Sequence, residues 1–99
     1  MLQSVHDKHD AREMLSTIGL RPTRQRIALA SLVLATGHGR VTAEIVYQES
    51  RKAGCAVSRA TVCNTLRTFE HAGLLRRTPD NRSRKAWFAA NERVIGSFA

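Results

Sequence analysis

Four helical patterns followed by a basic two-stranded hairpin predict a mainly α fold with a small β hairpin, ordered as a winged helix-turn-helix. Three observations carry that expectation. Thr23, Thr42 and Ser58 stand as caps before apolar segments, and Gly19, Gly54 and Gly73 stand as stops after such segments, at helix-length intervals. The stretch from Ser58 to Gly73 reads as a capped amphipathic helix that runs into L-L-R-R-T-P-D-N-R-S-R-K-A-W-F. Finally, 16 Lys and Arg oppose 8 Asp and Glu, for a net charge of +8.

The elements follow in order. Residues 1–10 are polar and are expected to form a flexible N-terminus, and residues 11–90 one folded domain. Residues 11–18, A-R-E-M-L-S-T-I, predict a short amphipathic helix with Met14, Leu15 and Ile18 on its apolar side, stopped by Gly19. Leu20 to Pro22 bridge to a second helix capped by Thr23. Its Ile27, Ala28, Leu29, Ala30, Leu32, Val33 and Leu34 make it apolar nearly all round, which marks a central core helix ended by Gly37-His38-Gly39. Thr42 caps a third helix over roughly 43–53, with Glu44 in the first turn where an acid suits the dipole. Ile45, Val46 and Ala53 are expected to face the core, and Gly54 closes the helix.

In the fourth helix Val62, Leu66 and Phe69 recur at i, i+4, i+7 as one buried stripe. At about 100° per residue, Arg59, Ala60, Cys63, Asn64 and Arg67 fall on the opposite side. Residues 74–78 and 85–89 read as strands joined by the turn-rich P-D-N-R-S-R, with Trp87 or Phe88 packing back on the helices. Residues 91–99 read as a C-terminal tail.

Ninety-nine residues suit one domain, because a second unit would be too small to bury a useful core. The charge balance favours a polyanionic partner, of which nucleic acid is the commonest. No apolar run approaches the ~20 residues of a membrane span, and the N-terminus lacks the apolar core of a signal peptide. The expectation is therefore a cytoplasmic protein with no membrane partner. Cys55 and Cys63 are eight apart, which is not a zinc spacing, and they are expected to be free thiols. His6 and His9 lie three apart beside two aspartates but lack a third fixed ligand, and His71 suits the end of the fourth helix. No Ser/His/Asp arrangement, paired carboxylates or phosphate-binding glycine loop appears, so the chain does not read as an enzyme.

From Ser58 to Lys85 there are seven bases (Arg59, Arg67, Arg76, Arg77, Arg82, Arg84, Lys85) against two acids, Glu70 and Asp80. A second cluster, Arg21, Arg24 and Arg26, opens the second helix. Arginines and helix N-termini hold phosphates and set register and affinity. Base reading falls to side chains near the start of the recognition helix: Arg59 for a guanine edge, Asn64 for an adenine edge, Ala60 or Thr61 for a thymine methyl. The predicted DNA contacts are Arg21, Arg24, Arg59, Thr61, Asn64, Arg67, Arg82 and Arg84. Cys63 on this face has a redox reading, oxidation blocking DNA, beside the plainer one of a small residue on the helix surface.

G-L-R-P-T-R-Q-R (19–26), T-A-E-x-x-Y (42–47), V-S-R-A-T-V-C-N-T-L (57–66) and H-A-G-L-L (71–75) together resemble the N-terminal domain of the ferric uptake regulator family. The likeness is nearest to its iron response regulator branch and covers roughly residues 12–90. The resemblance implies a winged-helix repressor that binds AT-rich inverted repeats of double-stranded DNA as a dimer. Arg21 would reach the minor groove, and the start of the fourth helix the major groove. The chain departs from the family at Cys63, where a Tyr is usual, and at Arg59, where an uncharged residue is usual. Arg40 stands where the family's hinge metal site has a His, with His38 two residues early, and Ala89 stands where it has a Glu. No cofactor is therefore expected. On this resemblance the chain ends before the family's metal-sensing and dimerisation domain, and a homodimer would form by other contacts. The alternative is a protein-interaction module that pairs with a full-length regulator or another partner through the tail residues Val94, Ile95 and Phe98 and modulates its DNA binding.

Overall fold

The computed structural model describes residues 8–35, 40–78, 82 and 85–91. Four helices, α1 (Lys8–Thr17), α2 (Arg24–Ala35), α3 (Ala43–Lys52) and α4 (Arg59–His71), pack with three short strands, β1 (Arg40–Val41), β2 (Leu75–Thr78) and β3 (Trp87–Ala90). The strands form an antiparallel sheet in the order β1-β3-β2. Helix order and wing agree with the winged helix-turn-helix expected from the sequence.

Helix ends are set by local chemistry. The Thr42 hydroxyl accepts from the Ile45 amide (3.1 Å), and the Ser58 hydroxyl accepts from the Thr61 amide (3.1 Å). Thr23 does the same for Arg26 (3.2 Å). At the C-terminus of α4 the chain reverses through Gly73, at φ +90°, so that the Leu74 amide bonds the Phe69 carbonyl (2.9 Å) and the Gly73 amide bonds that of Glu70 (3.1 Å). That paired pattern is the Schellman motif, and it recurs at Gly19 and Gly54.

The core is a single cluster. Helix α2 lies at its centre, in contact with α1, α3 and α4, and contributes Ile27, Leu29, Ala30, Val33 and Leu34. Ala11, Met14 and Leu15 come from α1, Val62, Leu66 and Phe69 from α4, and Phe88 from β3. Phe88 is the aromatic that packs inward, while Trp87 is half-buried beneath the Arg40 guanidinium, 4.6 Å from its ring centre.

Four expectations are corrected. Helix α1 begins at Lys8, three residues earlier than the apolar pattern suggested, because the polar turn ahead of Ala11 carries Asp10 at the positive helix end. Helix α3 turns a different face inward: Val46 and Ser50 are buried, whereas Ile45 is 38% exposed and Ala53 is exposed. Positions 43, 46, 47 and 50 share one helical face, and Ser50 tolerates burial because its hydroxyl donates to the Tyr47 carbonyl (2.7 Å). The wing is not a bare hairpin, since β1 adds a third strand through Arg40↔Ala89 and Val41↔Phe88. The second wing strand starts at Trp87, two residues later than expected.

Residues 1–7, 36–39, 79–81, 83–84 and 92–99 lie outside the described residues, and so do the readings that fall on His6, the Gly37-His38-Gly39 stop, the P-D-N-R-S-R turn apart from Arg82, and the tail residues Val94, Ile95 and Phe98.

Candidate nucleic-acid interface

Helices α3 and α4 form the helix-turn-helix, and α4 divides cleanly along its length. Val62, Thr65, Leu66 and Phe69 are buried, so Arg59, Ala60, Asn64 and Arg67 project from the far side as one exposed arc. This is the face that the periodicity assigned to a polyanion. Its first residue, Arg59, opens the helix just after the Ser58 cap.

Arg59 is held in place. Its Nε donates to Glu44 Oε1 (3.0 Å) and its Nη2 to Glu44 Oε2 (3.1 Å), a bidentate pair between α4 and α3. The Tyr47 ring lies beneath the guanidinium, 4.4 Å from its centre. Gln48 Nε2 donates to the same Glu44 carboxylate (2.8 Å). These bonds, Arg59's first among them, hold the Glu44 carboxyl far below its ordinary value of 4.5, at about 2.

Arg67 shares a notch between α4 and the wing with Cys63, Arg77 and Lys85. Arg77 is bound to Glu70 and lies over the Phe88 ring (5.1 Å), so it braces the wing. Asn64 is exposed and its carbonyl accepts from Thr68 Oγ1 (3.0 Å). The Thr61 hydroxyl accepts from the Ser58 hydroxyl (3.0 Å) at the helix cap.

The remaining predicted contacts are dispersed. Arg21 is exposed on the α1–α2 bridge, where its carbonyl accepts from Arg26 Nη1 (3.1 Å) and from the Thr23 amide (2.9 Å). Arg24 opens α2 and, with Arg12, lines a groove against the 53–57 turn. Arg82 is exposed in the hairpin loop, and Arg84 lies outside the described residues. The sequence reading missed the Glu44–Tyr47–Gln48 layer under Arg59. The T-A-E-x-x-Y spacing does put Glu44 and Tyr47 on one face, but nothing in it points to a partner 15 residues on.

The profile of the Ferric uptake regulator family matches residues 17–94. The chain belongs to this family. Family members are transcription regulators that bind DNA, often as dimers, and are not enzymes. The ferric uptake regulator of Pseudomonas aeruginosa, solved with manganese, is 30% identical and superposes with a TM-score of 0.76, over 82% of this chain and 60% of its own. A manganese uptake regulator is 26% identical at a TM-score of 0.68, over 81% and 57%. The ferric uptake regulator of Vibrio cholerae, at 24% identity, shares the fold with a TM-score of 0.72, over 80% and 60%. This chain thus spans about 60% of the length of such relatives. No protein of curated function matches it by sequence.

Arg40 on β1 is the register partner of Ala89 on β3. A guanidinium has no lone pair to offer a metal and a methyl group has no donor at all, so this pair does not fit a divalent ion. Among the described residues no helix is long and apolar enough to cross a membrane.

Proposed function

We propose that this chain is a sequence-specific DNA-binding transcription regulator that represses by occupying a promoter, with no metal at the hinge positions. The observation that carries the reading is the exposed arc of Arg59, Ala60, Asn64 and Arg67 on α4, backed by a net charge of +8. A helix with one buried and one basic, uncovered face fits the major groove, where its N-terminal residues meet base edges. Arg21 on the α1–α2 bridge and Arg82 and Arg84 in the wing take the flanking backbone or minor groove. The preferred ligand is an AT-rich inverted repeat, held by two copies of the chain.

Metal independence rests on Arg40 and Ala89 standing opposite each other where the family places a His and a Glu. Cys63, at the edge of the notch, adds no metal ligand set among the described residues.

Selection of bound duplexes from a random pool at ~150 mM salt, with chelator and with added divalent metal, tests the reading. An inverted repeat recovered in chelator is the expected result. A motif recovered only with metal overturns the metal-independent part. No motif in either condition overturns sequence-specific reading and moves a partner-dependent interaction module to first place.

A further inference from the structure

The second inference rests on the DNA-reading proposal and specifies what the recognition helix reads. We propose that Glu44 is a positioning residue that sets Arg59 to read a guanine, so that each half-site contains one G·C pair whose recognition depends on Glu44.

A guanidinium carries five N–H groups in a planar fork. Glu44 takes one from Nε and one from Nη2, the side edge of the fork. The end edge, made of Nη1 and the second hydrogen of Nη2, has no partner among the described residues. That end edge is a pair of parallel donors, the pattern that matches the O6 and N7 acceptors of guanine in the major groove. Adenine presents a donor at the position of O6 and cannot accept both. Holding the side edge therefore directs the group toward guanine and does not block reading.

Three contacts fix the plane of the fork. The bidentate carboxylate sets its in-plane rotation, the Tyr47 ring closes one face (4.4 Å), and Gln48 fixes the carboxylate in turn (2.8 Å). An arginine fixed before binding loses less side-chain freedom on reaching a base. An isolated surface ion pair contributes little. This one differs because it joins the two helices of the reading motif and places its arginine at the first position of α4. Arg59 and Glu44 are both exposed, so the device is a feature of the binding surface and not of the core.

The test compares the chain with its Glu44→Gln, Arg59→Lys and doubly substituted variants. The DNA is the duplex selected by the unsubstituted chain and its single-base-pair changes, with a random duplex as the reference for unspecific binding. Glu44→Gln is expected to cut discrimination at one G·C pair per half-site by about 10-fold or more, while affinity for the random duplex holds or rises because a negative charge is gone. Arg59→Lys should lose discrimination at the same pair, and the double variant should lose no more than either alone, as expected for residues acting through one contact. Unchanged guanine discrimination in Glu44→Gln overturns the positioning role while leaving DNA reading intact. A selected site with no G·C pair sensitive to Arg59→Lys overturns it too. Failure of the unsubstituted chain to select any site overturns the DNA-reading proposal itself, and this one with it.

Discussion

Arg77 on β2 grips Glu70 on α4 through two hydrogen bonds, Nη2 to Oε1 at 2.9 Å and Nε to Oε2 at 3.3 Å, while its guanidinium covers the Phe88 ring of β3. The end of β3 is fastened to the turn that follows the same helix: Asn91 Nδ2 donates to the Gly73 carbonyl (2.8 Å) and the Asn91 amide to that of Leu74 (2.9 Å). These contacts join strands β2 and β3 to the recognition helix and to the turn that ends it.

The Arg77 bond holds the Glu70 carboxyl below its ordinary 4.5. A carboxyl whose value falls on folding adds stability above 4.5, and that stability is lost as pH drops through the lowered folded value. Glu70→Gln is expected to melt below the unsubstituted chain at pH 7, with the gap closing as pH falls below 4.5. A gap that is constant across that range would contradict the assignment.

Glu44 gives a direct titration. Its carboxyl signal, followed by NMR, is expected to titrate with a midpoint at about 2, and Arg59→Ala should return it most of the way to 4.5. The pair then stays ionised throughout the neutral range, and its part in folding stability is present above 4.5 and disappears only as pH falls toward 2. A midpoint near 4.5 in the unsubstituted chain would mean that the pair does not persist in solution.

Ser31 carries a buried hydroxyl with no hydrogen-bond partner among the described residues, within α2. Ser31→Ala removes that unpaired group and improves helix propensity, and should raise stability by about 0.5–1 kcal/mol in urea unfolding. A lowered midpoint would reveal a partner for the hydroxyl.

Gly73→Ala should cost about 1–2 kcal/mol, because an L residue is strained at positive φ. Nothing lies within 4 Å of the added methyl, so the penalty is one of backbone alone. Asn, which tolerates this region, should cost less at the same position.

Arg67→Ala should weaken selected and random duplexes by the same factor and reduce the slope of log affinity against log salt by about 1, the signature of one lost phosphate contact. A change in base preference would move Arg67 from phosphate holding to base reading.

The caps, the glycine stops and the buried stripe of α4 are local chemistry, and for that reason they were legible from the sequence. Ser58 needs only the amide three residues on, and Val62, Leu66 and Phe69 need only a helical period. What escaped depended on partners far along the chain or on phase. Strand β1 is two residues, too short for any alternation, and exists because β3 passes beside it. Helix α3 buries Ser50 and exposes Ile45, since its orientation is set by packing on α2 and α4 and a hydroxyl bonded to its own helix loses little by burial. On α4, periodicity puts Arg59, Asn64 and Arg67 on the exposed face, where the structure has them, but the grip of Glu44 on Arg59 is invisible to it because only the turn between α3 and α4 brings them together.

The sequence contains one tryptophan and one tyrosine, and each ring lies under an arginine: Trp87 under Arg40 in the sheet, Tyr47 under Arg59 in the reading motif. Trp87 thus serves as a native optical reporter of the sheet. Emission excited selectively from it follows the β1–β3 seam. Opening of the sheet can be watched through that emission alone, with no label attached.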